Sequence, residues 1–261
     1  MSTKKEPHTI DTIDKALSEQ LQYLKLTTIL EHYPQEARTA AERHLSHVQY
    51  LARLVDAEAQ ARQDRSVQRR IRMARFPMTK TLDSFDWNWP KKINRLQVQD
   101  LFRLAFIEQH GNAIFLGGVG LGKTHLCTAL AYAACLRGHS VLFATAIDIV
   151  NTLGAAQKTG VLKAELKKYM RPAVLVIDEL GYLPIDKHGA DLLFQVISQR
   201  YERGSIILST NKRFKQWPEI FGNDSTLTSA VLDRLLHHAE TILIEGKSYR
   251  MKDQISSTMP E

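Results

Sequence analysis

Several things are scarce in this chain of 261 residues, and each scarcity closes off a class of protein. Cysteine occurs twice, at Cys127 and Cys135, and no C-x-x-C pair exists. Neither a disulfide framework nor a zinc-thiolate site is indicated. The two thiols are expected as small buried packing residues in a reducing compartment. No apolar run approaches the length of a membrane span. The polar start Met1–His8 leads into no apolar signal segment, so a cytoplasmic location away from any membrane is expected. No internal repeat or low-complexity tract is visible. Acid is also short. Against 35 Lys and Arg stand 28 Asp and Glu, a formal net charge of +7. That surplus favours an anionic partner, and nucleic acid is the usual one. Hydrophobic residues make up 44%, enough for a real core in one large domain or a medium one with a small companion.

What is present is concentrated in Gly117-Gly118-Val119-Gly120-Leu121-Gly122-Lys123-Thr124. This is the spacing G-x-x-x-x-G-K-[ST] of a phosphate-binding loop. The apolar run Asn112–Leu116 before it reads as a buried strand, and Lys123–Arg137 after it as a helix stopped by Gly138. Glycines at this spacing let backbone N–H groups turn inward around phosphate oxygens, at a helix N-terminus that carries partial positive charge. Lys123 is placed to reach β- and γ-phosphates, and Thr124 to hold Mg²⁺ through its hydroxyl. A second motif is Val174-Leu175-Val176-Ile177-Asp178-Glu179, a buried strand ending in two carboxylates. Open α/β sheets hold their ligands at that edge. Asp178 is expected to hold Mg²⁺, directly or through water, and Glu179 to orient the water that attacks the γ-phosphate. Asn211, closing Ser209-Thr210-Asn211, ends the next strand. It reads either as a polar group between γ-phosphate and water or as a turn or cap residue; the catalytic role is the expectation.

In order, residues 1–9 read as a loose polar tail. Ile13, Leu17, Leu21 and Leu24 share one helical face, extended by Leu26, Ile29 and Leu30 and ended by Tyr33-Pro34. A second helix is predicted from near Ala37, with Leu45, Val48, Leu51, Val55 and Ala59 on its apolar face. It turns basic at Arg62, Arg65, Arg69, Arg70, Arg72 and Arg75, with Asp64 the only local acid, and Phe76-Pro77 closes it. A run so nearly of one sign lacks the i, i+4 pairs of an ordinary solvated face. Contact with a duplex DNA backbone is the expectation for these six arginines, and a mere solvated face the alternative. Residues 1–77 are thus a small all-helical, basic N-terminal region. Residues 78–95 read as a linker, with Leu82, Phe85, Trp87, Trp89 and Pro90 as a hydrophobic clip; docking of Thr81–Asp86 on the rim of the nucleotide site is the alternative. Val98–Ile107 reads as a helix. Further strands are predicted at His139–Ala144, Ala173–Ile177, Ser205–Ser209 and Thr241–Ile244. Between them fall helices from Ile147 to a break near Gly154, Val161–Tyr169, Lys187–Arg203 and Leu227–His238. Short apolar strands alternating with helices predict an α/β domain, with a five-stranded parallel sheet covered on both faces. It is expected over 96–252, and 253–261 as a disordered tail.

The loop, the acidic strand end and Ser209–Asn211 in this order resemble an AAA+ ATPase, a P-loop three-layer sandwich. More narrowly, the chain resembles the IstB-like transposition ATPases of bacterial insertion sequences, relatives of the replicative helicase loaders. Carrying the likeness are Arg72-Met73-Ala74-Arg75-Phe76-Pro77, Lys80–Asp86, Asp178-Glu179-Leu180-Gly181-Tyr182, Asp233-Arg234-Leu235 and Gly246-Lys247-Ser248-Tyr249-Arg250. The resemblance implies ATP and Mg²⁺ as ligands and a bacterial cytoplasmic protein. It implies homo-oligomers that share their ATP sites on duplex target DNA, and a cognate transposase as partner. It matches Arg234 to an arginine finger reaching a neighbouring subunit's γ-phosphate, and Arg250 to a second sensor contacting the chain's own nucleotide. Read from the residues alone, Arg234 is an ordinary ion-pair candidate on an apolar helix and Arg250 a solvated charge. Little chain follows Ile244, so a full C-terminal helical lid cannot fit, as in the reduced-lid branch of these ATPases. The function expected is an ATP-dependent, DNA-binding regulator of transposition. It would oligomerise on target DNA, remodel it and deliver it to the transposase, with hydrolysis controlling disassembly. A helicase loader, and an architectural DNA-binding protein using ATP only as a structural ligand, are the alternatives.

Overall fold

The computed structural model describes the backbone of residues 8–249 and the side chains from Asp14 onward. Residues 1–7, Arg250 and the tail expected at 253–261 lie outside this range. Two compact units divide between Gln68 and Arg69.

The first unit contains α1 (His8–Tyr23), α2 (Thr27–Glu42) and most of α3 (His47–Ala74). The first helix was expected to run on to Tyr33-Pro34. It stops ten residues earlier, at a turn where Lys25 takes a left-handed φ of 56°, and Pro34 lies inside α2. A proline there removes one helical N–H bond, a loss the rest of the helix absorbs. The second expected helix is likewise broken, at His44 (φ 52°). The apolar face expected on α3 is reversed: Val48, Leu51 and Val55 are exposed, while Leu54 and Glu58 are buried. The Glu58 carboxylate accepts N–H bonds from Thr28 (2.8 Å) and Ile29 (3.3 Å) at the start of α2, and one from Arg65 Nη2 (2.9 Å). Arg62 Nε stands 3.7 Å from it. Burial alone would push the Glu58 carboxyl up; the backbone N–H bonds and Arg65 outweigh it and hold the group below its ordinary value.

The second unit is built on a five-stranded, all-parallel sheet of order β2-β3-β4-β1-β5. Its strands are β1 (Asn112–Gly117), β2 (Val141–Thr145), β3 (Val174–Leu180), β4 (Ser205–Thr210) and β5 (Ala239–Ile244). Alternating side chains feed two cores, as a sheet covered on both faces requires. Phe115, Val174, Val176, Ile207 and Ile242 pack beneath α4 (Arg95–Leu101), α5 (Ala105–Glu108) and α6 (Lys123–Leu136). Ile114, Leu175, Ile177 and Leu208 pack against α7 (Ala146–Lys158), α8 (Leu162–Met170), α9 (Lys187–Arg200) and α10 (Ser225–Leu236). The helix expected over Val98–Ile107 is split by Leu104, whose φ is 66°. Helix α7 runs through the break expected at Gly154, where a Cβ would meet nothing; a mid-helix glycine costs only about 1 kcal/mol. Cys127 and Cys135 are both buried on α6.

Residues 78–95, expected as a linker, belong to this unit. Phe85 is buried in its core, with Leu82, Trp87 and Ile93 packed against it. So are Ile71, Ala74 and Phe76, and Arg70 Nε donates to Cys135 O at the end of α6 (3.0 Å). The arginine run is therefore divided between the units: Arg62 and Arg65 in the first, Arg69, Arg70, Arg72 and Arg75 in the second.

Candidate nucleotide site

Strand β1 delivers the glycine loop to the C-terminal edge of the sheet. Gly120 and Gly122 hold φ of 75° and 85°, a left-handed conformation that side chains rarely adopt. A Cβ on Gly122 would also lie 2.7 Å from Phe85 Cε2. The clip residue Phe85 thus sits directly against the loop, and its ring meets His125 edge-on at 5.4 Å. His125 bonds Thr81 O (3.0 Å) and Ser84 Oγ (3.3 Å). Burial lowers its pKa, although the bond to Thr81 opposes this. On the other side, Tyr249 N donates to Gly120 O (2.8 Å) and Trp89 Nε1 to Lys247 O (2.8 Å). The Trp89 and Tyr249 rings meet edge-on at 5.4 Å. Lys92 and Glu245 pair as an antiparallel bridge.

The loop opens on a cavity of about 620 Å³. Gly120, Leu121, Gly122, Lys123 and Thr124 line one wall, with Glu179, Ser209 and Asn211 facing them. Val119 also lines it, while Gly117 and Gly118 form the approach from β1. Lys123 Nζ donates to Gly118 O (2.7 Å). Thr124 Oγ1 donates to Asp178 Oδ1 (3.1 Å), and Ser209 Oγ donates to the same oxygen. Asp178 is buried and its charge, after burial itself, pushes the Cys127 thiol well up. Glu179 follows in a register shift between β3 and β4, with φ of 60° and its N–H bonded to Ser209 Oγ (2.9 Å). That bulge turns the exposed Glu179 carboxylate into the cavity, although the strand pleat would send it away from Asp178's side. Strained backbone of this kind collects at functional positions. Asn211 Oδ1 is buried with no hydrogen-bond partner among the described residues. An orphaned polar atom facing a cavity needs an incoming donor. Hydroxyl and carboxylate oxygens side by side suit Mg²⁺, which takes few protein ligands beside phosphate oxygens. Met78, Phe85, Trp89, Pro90 and Tyr249 also line the cavity, an apolar and aromatic set fit for a purine base.

The sequence reading thus missed one wall of the site. Thr81–Asp86 does dock on the rim, the alternative set aside for a clip, and it is both at once. The density of aromatics at Phe85, Trp87 and Trp89 was the available signal.

One predicted residue is elsewhere. Arg234 lies near the end of α10, beside Asn112 and Ile206 at the entry edge of the strands, and does not line the cavity. Its guanidinium stands 5.0 Å over the Phe194 ring, and Nη1 donates to Ala230 O (2.9 Å). Arg250 lies outside the described residues. Among the six arginines expected on DNA, Arg62 and Arg65 are committed to Glu58, which corrects the expectation of an unpaired run. Glu58 stands one turn before Arg62 and was left out of the count of local acids. Arg69, Arg72 and Arg75 are exposed.

A parallel sheet carrying this loop, this acidic strand end and this polar strand tip defines an AAA+ P-loop ATP-binding protein. The chain belongs to the family described as IstB-like ATP binding protein, which matches residues 19–257. It is 41% identical over 231 residues, 88% of this chain and 92% of the relative, to a protein described as an ATP-binding protein of insertion sequence IS5376 from Geobacillus stearothermophilus. It is 40% identical over 240 residues, 92% of this chain and 96% of the relative, to the corresponding protein of IS232 from Bacillus thuringiensis subsp. berliner. Among solved structures, the DnaC helicase loader matches with a TM-score of 0.53 and 24% identity over 63% of this chain and 96% of that one. AMPPCP-bound DnaA from Aquifex aeolicus matches with 0.54 and 22%, over 70% of this chain and 56% of that one. These two show the fold. No helix among the described residues is long and apolar enough to cross a membrane.

Proposed function

We propose that the protein is the ATPase of a transposition system: it hydrolyses ATP, assembles on duplex target DNA and presents that DNA to a transposase. The observation that carries this is a division of groups. Loop, Glu179 and Asn211 line one cavity, with Asp178 buried behind it on Thr124, while Arg234 stands at the other edge of the sheet. Arg234 then does not serve the cavity of its own chain; a second copy supplies it, adding to Lys123 a further cation for the developing charge on the γ-phosphate. Such an arginine contributes about 10³- to 10⁵-fold in related reactions. The insertion-sequence relatives support the setting.

In this reading the loop N–H groups and Lys123 bind the phosphates, Lys123 leaving Gly118 O to do so. Thr124 and Asp178 would hold Mg²⁺, which would supply charge neutralisation at the phosphates. Glu179 holds the attacking water and accepts its proton, and Asn211 fixes that water from the strand tip. Arg250 reads the nucleotide from the C-terminal side. Exposed arginines at 69, 72 and 75, with Arg62, Arg65 and Arg70 nearby in sequence, grip DNA phosphates. The DNA-binding region expected over 1–77 is divided at Gln68, its residues from Arg69 and the expected linker 78–95 belonging with the ATP unit, whose nucleotide domain is proposed over 96–252. Hydrolysis removes the γ-phosphate that the neighbour's Arg234 grips, and the assembly loosens.

The test is electron microscopy of the purified protein with duplex DNA and a slowly hydrolysed ATP analogue. Ordered multi-subunit assemblies should form only when both are present. Assembly indifferent to nucleotide, or phosphate release unchanged by DNA, overturns the proposal.

A further inference from the structure

Among the described residues, one set of side chains of metal-ligating type converges away from the nucleotide cavity. Glu202, His237 and His238 bring one ligand atom each to within 4.8 Å of one another, all three exposed. The His238 Nε2 stands 3.8 Å from Glu202 Oε1, and the two imidazole rings lie 4.0 Å apart between centroids. A histidine at a helix end can simply answer the helix dipole, and paired surface histidines are common. Three features go further than that.

The first is the ring orientation. Tyr201 Oη and His237 Nδ1 share a hydrogen bond of 2.8 Å, which holds the imidazole by that nitrogen. A partner on the second nitrogen is the usual way a metal-binding imidazole is oriented. The second is the support under Glu202. Its turn follows directly from Arg200, a buried side chain that donates to Tyr169 O, Pro172 O, Ala173 O and Ser205 O at 2.7–3.0 Å. Glu202 itself holds a left-handed φ of 57° on that turn. The third is the support under the histidines. The buried amide of Asn112 donates to Leu235 O (2.9 Å) and accepts from Ile206 N (2.9 Å), pinning the end of α10 to the sheet. Both arms are therefore anchored by buried polar side chains, and only the side-chain tips need to close by an ångström or so.

We propose that Glu202, His237 and His238 form a site for a borderline divalent transition cation of the zinc class, with Tyr201 as the residue that orients His237. Two imidazoles and one carboxylate with an open fourth position make a ligand set suited to zinc and cobalt, and not to Mg²⁺, which prefers oxygen. A bound cation would tie the end of α9 to the end of α10, three residues beyond Arg234. It would fix the segment that presents Arg234, so the site has a place in regulation of assembly; its existence does not depend on the ATPase reading.

The test uses tag-free, chelator-stripped full chain in excess Mg²⁺, titrated with Co²⁺ and followed by visible absorption, then displaced with Zn²⁺. One equivalent of Co²⁺ should give a saturable band in the micromolar range. His237→Ala and His238→Ala should each abolish it and Glu202→Gln weaken it, and Tyr201→Phe should lower affinity about ten-fold. All four side chains stand at the surface end of the unit, and circular dichroism checks that the variants fold. No saturable band, or a band that survives in the double histidine variant, overturns the site.

Discussion

Away from the nucleotide site each unit buries an ionised side chain, Arg200 or Glu58, and the two are neutralised in opposite ways. In the second unit Arg200 lies within a continuous apolar core and is met by four backbone carbonyls. It gathers carbonyls from the end of α8, from the segment entering β3 and from the first residue of β4. In the first unit Glu58 is met by two backbone N–H groups and two arginines, and among the described residues Leu21 and Leu54 are the buried apolar side chains of that unit. The large unit keeps a charge to finish a core that already exists. The small one uses a charge in place of a core, as a helical cluster this size must when apolar area is short. The consequence is functional, because the cations that complete the small unit are two of those expected to grip DNA.

The largest effect should come from Arg200→Ala. It removes the guanidinium from four inward carbonyls, of which Ala173 O keeps Ser205 N, and leaves a cavity in the core, at a cost of about 3–5 kcal/mol read by denaturant unfolding. Burial lowers the Arg200 pKa to about 10, so at neutral pH it is charged both folded and unfolded and gives no slope of stability with pH. A loss below about 1 kcal/mol would mean that packing alone holds that edge. Across the same sheet, Glu179→Gln should slow hydrolysis by about 10²- to 10⁴-fold. Nucleotide should still bind, and stability should stay within about 0.5 kcal/mol, since the side chain is exposed. Wild-type phosphate release would remove Glu179 from the chemistry.

Glu58→Gln is the counterpart in the first unit. It keeps shape and loses charge, and should destabilise α1–α3 by about 1–2 kcal/mol, seen as faster hydrogen exchange there. Exchange in the sheet should not change. The sign of the pH dependence follows from the depressed carboxyl: its contribution is full above the unfolded value of 4.5 and is lost as pH falls through the lower folded value. The Gln variant should lack that loss. Equal exchange in both proteins at pH 7 would show that the buried charge does not hold the helices.

How far the sequence revealed this molecule depended on range. All five strands and the phosphate loop were legible because apolar runs and glycine spacing are local signals. The acidic pair at Asp178 and Glu179 was legible as a strand end, but the bulge that aims Glu179 depends on pairing with β4 and leaves no mark in the residues. Helix breaks at Lys25, His44 and Leu104 were not legible, because each places a non-glycine residue in left-handed backbone that only tertiary packing pays for. The orientation of α3 was misread for a related reason. Its expected stripe, Val48, Leu51 and Val55, has helical spacing, but Leu54 and Glu58 have it too, and a carboxylate is not counted in an apolar pattern. Tyr249 and Trp89 meet across a separation in sequence that no spacing rule spans.

The smallest effect separates the two halves of the arginine run. Glu58 with Arg62 and Arg65 carries a net charge of +1, two cations less one anion, and both arginines must loosen from the carboxylate before they can hold phosphates. Arg69 and Arg72 stand exposed on the other side of the unit boundary. Each phosphate contact contributes about 0.9 to the slope of log affinity against log salt on duplex DNA. Arg69→Ala with Arg72→Ala should therefore flatten that slope by about two, and Arg62→Ala with Arg65→Ala by about one or less. The second pair should also speed exchange in α2, because it strands the Glu58 carboxylate, while the first pair should leave α2 alone. Equal changes of slope would mean that Glu58 releases its arginines without cost when DNA arrives. A larger change for the second pair would move the principal DNA contact into the first unit and reverse the assignment.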